Sequence, residues 1–189
     1  MANLTELRSL RLSGGFASVP LWVGELPKLT SLSFSGCRNL VSLPESIVNL
    51  SKLTTLTFSS DDGLMNVSAL RELPESIGNL SNLTSLNLTG CSNLKCFPSS
   101  MQNLKHLTTV KLSCCSFESI PSGIEYLKEV TELDLSGCYN LVSLPESIGN
   151  LSNLTSLNLN SALLDIREAE EIQSEFPHNP KTVCMNGIE

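Results

Sequence analysis

LPESIGNLSNLTSLNL occupies Leu73–Leu88 and recurs without a change at Leu144–Leu159, 71 residues further on. Its two halves carry different periods. In LTSLNL the apolar residues alternate with polar ones, which is the pattern of a half-buried strand. LPESIGNL opens on a proline, which cannot sit inside a strand but suits the first turn of a helix. One strand followed by one short helical turn cannot bury its own leucines, so the string reads as part of a stack.

Working outward, LxxLxL followed by SGCxNLxxLPxxIxNLxx recurs along the chain. Units begin at Leu7, Leu29, Leu53, Leu83, Leu107, Val130 and Leu154, at spacings of 22, 24, 30, 24, 23 and 24 residues. A period in the twenties with this leucine pattern predicts an α/β leucine-rich-repeat solenoid. About seven coils stack a parallel β ribbon on the concave face and short helical or 3-10 turns on the convex face. Leu32 and Phe34, Leu56 and Phe58, Leu86 and Leu88, Val110 and Leu112, Leu133 and Leu135, and Leu157 and Leu159 should point into the coil. Pro44, Pro74, Pro98, Pro121 and Pro145 should begin the turns, with Ile47, Ile77, Met101, Ile124 and Ile148 packing inward after them.

The repeats span 1–160 and a C-terminal cap spans 161–189. In the cap, SALLDIREAEEIQSEF has Leu163, Ile166, Ala169, Ile172 and Phe176 at helical spacing, and KTVCMN supplies a last strand. The third unit is six residues longer than its neighbours, an insertion near 59–70 that carries Asp61, Asp62, Leu64 and Met65 at the rim. Two readings stay open for it: a neutral loop, since added loop length costs little, or a recognition loop on a rigid scaffold. Asp61 and Asp62 beside Gly63 lack the rest of a twelve-residue calcium loop.

Cys37, Cys91, Cys115 and Cys138 fall at one repeat position. They cannot be a paired framework and are expected to form a buried ladder of thiols that satisfies backbone groups inside the coil. Without a basic neighbour such thiols are inert. With no CxxC pair and only His106 and His178 available, no zinc set assembles, so neither metal nor cofactor is expected.

The net charge of −7 argues against a nucleic-acid surface, which needs clustered Lys and Arg. Apolar runs are only a few residues long, too short to span a membrane. MANLTELRSL lacks a basic start before an apolar stretch, so a reducing, cytoplasmic location is expected. No Ser–His–acid set or phosphate loop argues for catalysis.

Partner-binding positions are therefore sought on the concave face: Arg8, Arg11, Ser31, Ser33, Thr55, Thr57, Ser85, Asn87, Thr109, Lys111, Glu132, Asp134, Ser156 and Asn158. The centre of this wall is short, uncharged and hydroxyl-rich. Leu21 and Trp22, aligned with the outward Glu45 and Ser46, form a convex patch beside a first coil with no lid, through which the chain could self-associate.

LTSLNLTGCSNLKCFP and LTELDLSGCYNLVSLPESIGNLSNL carry a resemblance to a family. They resemble the intracellular leucine-rich repeats of plant nucleotide-binding (TIR-type) disease-resistance receptors, over about four-fifths of the chain. The resemblance implies a binding module, often the sensing or self-inhibiting part of a larger switch protein. Taken together, these readings predict a non-catalytic scaffold for a protein or peptide partner. The alternatives are a ligand-sensing or autoinhibitory segment of a larger signalling receptor and, behind it, the substrate-recognition module of an effector or ubiquitin ligase.

Overall fold

Eight parallel strands lie side by side in chain order, each neighbour in sequence also the neighbour in space. They are β1 (Ser9–Ser13), β2 (Ser31–Ser35), β3 (Thr55–Ser59), β4 (Ser85–Leu88), β5 (Thr109–Lys111), β6 (Glu132–Asp134), β7 (Ser156–Asn158) and β8 (Thr182–Cys184). This computed structural model describes residues 4–59, 69–162 and 181–184. Asp61, Asp62, Leu64 and Met65 of the insertion, and the expected cap helix with Leu163 through Phe176, lie outside the described residues. The last strand expected from KTVCMN is present and pairs with β7.

The unbroken register is what makes a single interior. Leu32, Leu56, Leu86, Val110, Leu133 and Leu157 form one inward row, and Phe34, Phe58, Leu88, Leu112, Leu135 and Leu159 follow the same spacing along the second; all are buried. Phe34 and Phe58 stack with ring centroids 4.9 Å apart at 23°. From the opposite side Ile47, Ile77, Met101, Ile124 and Ile148 close the core, as the sequence requires.

Wherever the turn after a repeat strand lies among the described residues, the chain turns at the same point, and that point takes a left-handed backbone. Gly14, Gly36, Gly90 and Gly137 occupy it with positive φ, and where glycine is missing, Cys114 (φ 55°) and Ser161 (φ 65°) adopt it regardless. The return segments then run through five-residue 3-10 turns, Glu45–Asn49, Glu75–Asn79, Ser99–Asn103 and Glu146–Asn150, each preceded by a proline. A proline ring sets φ near −65° and lacks the N–H that a first turn would leave unpaired.

Coil five departs from this rule. Its turn is Ile124–Tyr126 and starts from Gly123, not Pro121. Ser122 forms an extra parallel bridge to Cys96, accepting from the Phe97 N–H at 2.7 Å and donating to the Lys95 carbonyl. Held extended there, the chain begins to wind two residues later than in the neighbouring coils, at Ile124.

Candidate functional site

Strand pairing lays the outward side chains in two straight rows. One runs Ser9, Ser31, Thr55, Ser85, Thr109, Glu132, Ser156 and Thr182; the other runs Arg11, Ser33, Thr57, Asn87, Lys111, Asp134, Asn158 and Cys184. Arg8 belongs to neither. It aligns with Thr30, one position before the strands, and Ser9 takes its expected place in the first row. The other wall residues named from the sequence stand in these two rows.

Several of them are engaged in ways the sequence did not disclose. The side-chain oxygen of Asn87 accepts the Thr89 N–H at 2.9 Å. Asp134 accepts the Ser136 N–H at 3.0 Å, and Asn158 that of Asn160 at 3.2 Å. These contacts between a residue and the one two further on close the turns after β4, β6 and β7. Thr109 donates to the Glu132 carboxylate at 3.4 Å. What the wall still offers is a row of half-buried hydroxyls with exposed charge at Arg11, Lys111 and Glu132.

The four cysteines at the shared repeat position lie in the interior. Cys37, Cys91, Cys115 and Cys138 are buried free thiols. Cys37 donates to the Leu12 carbonyl at 3.6 Å, Cys115 to Leu88 at 3.7 Å and Cys138 to Leu112 at 3.2 Å, each reaching back into the coil before it. A hydrogen bond with Cys138 and then burial push the Cys115 thiol far up, so it stays a donor. Burial also raises Cys114. Among the described residues no group of three or more His, Cys, Asp or Glu is placed to hold a metal.

On the convex side the expected patch is smaller than its sequence suggests. Leu21 is 73% exposed, but Trp22 is half-buried and packs against the core. Leu7, Leu10 and Leu12 of the first coil are likewise partly buried against the same core.

A feature that sequence reasoning missed lies along the edge where the strands begin. Thr30 donates its hydroxyl to the Arg8 carbonyl, and Thr54, Thr84, Thr108, Thr131 and Thr155 each donate to the carbonyl of the threonine in the coil before. Above the middle of this ladder is an open groove of about 670 Å³ lined by Lys52, Thr54, Asn82, Thr84, Lys105, His106 and Thr108. The signal was available: Lys52, Asn82 and His106 each stand immediately before a repeat leucine. A second hollow, of about 510 Å³, lies between return segments and is edged by Glu45, Glu72 and Glu75 with Cys96 and Tyr126.

The family model described as a leucine-rich repeat region matches residues 63–176, and a single leucine-rich repeat matches 28–50. The chain belongs to the leucine-rich-repeat family. Among solved structures, this leucine-rich-repeat chain is similar to a leucine-rich-repeat protein of Leptospira interrogans at 25% identity and a TM-score of 0.63, over 95% of this chain and 49% of that one. It is similar to human 5T4 at 22% identity and a TM-score of 0.67, over 97% of this chain and 71% of that one. A third similar structure is the leucine-rich-repeat domain of the type III effector XopL, at 20% identity and a TM-score of 0.58, over 94% and 75%. This chain thus spans about half the length of the Leptospira protein. No curated protein matches it.

Proposed function

We propose that this leucine-rich-repeat chain is a non-catalytic scaffold that binds a protein or peptide partner through the outward face of its β ribbon and the adjoining rim. The observation that carries this reading is the pair of polar rows in continuous register, backed by an apolar interior. A surface so stiff holds contact groups in place before a partner arrives, which lowers the ordering cost of binding. Fold-level likeness to other leucine-rich-repeat proteins supports an interaction role in general.

The test is comparative. Partners captured by the unaltered chain would be compared with those held by Lys111→Glu and by Glu132→Lys with Asp134→Lys, after verifying that the variants unfold at the same denaturant concentration. Losing a defined partner in either folded variant supports the reading; recovery of the same set by all three would sink it.

A second reading has its own support. The C-x-N-L step at Cys37–Leu40 and Cys91–Leu94, with the LPESI return, resembles plant disease-resistance receptors. On that reading the chain is the sensing or autoinhibitory segment of a larger receptor. A cytoplasmic setting belongs to the same proposal, because the cysteine ladder works only while its sulfurs carry hydrogen. Self-association through the first coil, where Leu4 and Leu21 are exposed, would appear as a concentration-dependent mass in sedimentation.

A further inference from the structure

We propose that the groove over the threonine ladder is a second binding site, made for an extended acidic peptide segment. The idea rests on the reading of the chain as a protein-binding scaffold and gives that partner a chemistry.

The chain carries −7 overall, yet no acidic side chain lines this groove. Lys52 and His106 are two coils apart, roughly 10 Å at the usual strand spacing, and neither has an ion-pair partner among the described residues. Lys105 stands beside His106, donating to the Gln102 carbonyl at 3.0 Å and approaching Glu129 only to 4.0 Å. The groove therefore presents a lysine at each of its two ends, Lys52 and Lys105.

The floor determines what kind of anion fits. Thr54, Thr84 and Thr108 have already given their hydroxyl protons to the carbonyls of Thr30, Thr54 and Thr84, at 3.0, 3.0 and 3.4 Å. What each oxygen has left are lone pairs, so the floor can only accept. Asn82 donates one amide N–H to the Ser51 carbonyl at 2.7 Å, and its amide oxygen adds a further acceptor. A row of acceptors flanked by lysines suits a ligand that brings both N–H donors and carboxylates. An extended peptide with Asp or Glu side chains has both, whereas a fully ionised polyphosphate brings charge and no donors.

The experiment uses the full chain and three fluorescent probes: a short Glu/Gly peptide, its Lys/Gly counterpart and a linear polyphosphate. Anisotropy should show the acidic peptide binding and the basic one not. Lys52→Glu or Lys105→Glu should each weaken the acidic peptide by about tenfold, as loss of one close charge pair would. Lys95→Glu, an exposed position outside the groove, should leave it unchanged. The proposal is overturned if the acidic peptide fails to bind, if polyphosphate binds as tightly, or if Lys52→Glu has no effect on a chain that still unfolds normally. These outcomes are separate from the scaffold reading, whose own failure appears as ribbon-face variants that keep every captured partner.

Discussion

Thr84 donates its hydroxyl to the carbonyl oxygen of Thr54 at 3.0 Å, and Thr54 does the same to Thr30. The Thr54 carbonyl also accepts the backbone N–H groups of Thr84 and Ser85, at 2.9 and 3.1 Å. The hydroxyl is thus a third donor to an already satisfied acceptor. Thr84→Val, which keeps the shape and removes the donor, should cost about 0.5–1 kcal/mol in urea denaturation. Thr84→Ser should cost less than Thr84→Val. If the valine variant is as stable as the parent, the ladder is a by-product of repeat geometry.

Gly36 and Gly78 separate two reasons for a glycine. At Gly36 φ is +60° and nothing lies within 4 Å of an added Cβ, so Gly36→Ala should cost only the strain of a left-handed residue, about 1–2 kcal/mol. At Gly78 an added Cβ would sit 2.3 Å from the Ser100 carbonyl oxygen of the next coil. Gly78→Ala should therefore be the worse of the two, near the top of the roughly 1–3 kcal/mol range for overpacking. Chemical denaturation of both variants checks the order.

Phe58 stacks on Phe34, yet the next coil places Leu88 opposite it. Phe58→Leu should be tolerated at a cost of less than about 1.5 kcal/mol. Phe58→Ala should cost roughly 3–5 kcal/mol, because a void at the centre of a stack cannot be closed by one neighbour alone. Calorimetry of the two variants gives the comparison.

Alkali should weaken the fold through Cys115. An unfolded cysteine ionises near 9.0, while Cys115 in the fold holds its proton well beyond that, so above about pH 9 the unfolded state binds fewer protons. The contribution is complete below pH 9 and is lost as pH rises. The slope of stability against pH should be shallower in Cys115→Ala than in the parent. A thiol reagent at neutral pH should label the exposed Cys96 and Cys184 quickly, and the ladder only on unfolding.

Much of the architecture was legible because the repeat makes the same local statement many times. Strand positions, inward rows, the cysteine ladder and the proline-led turns all follow from one period, and a single noisy unit cannot overturn it. Coil five was misread in detail since Pro121 looks like its counterparts; only the bridge between Ser122 and Cys96 delays its turn. Trp22 read as exposed by alignment, but alignment cannot tell that its indole packs against the apolar core.

By itself the sequence determined that the chain must stack, because each unit exposes leucines that it cannot hide alone, and it set which side chains face in. Only the tertiary structure decided which polar groups remain available. Asn87, Asp134 and Asn158 close their own turns, and the threonine hydroxyls are taken by carbonyls one coil away. Burial follows a period that is written locally. The threonine partners are set by how successive coils lie against one another, over separations of 22 to 30 residues, where no local pattern names the acceptor.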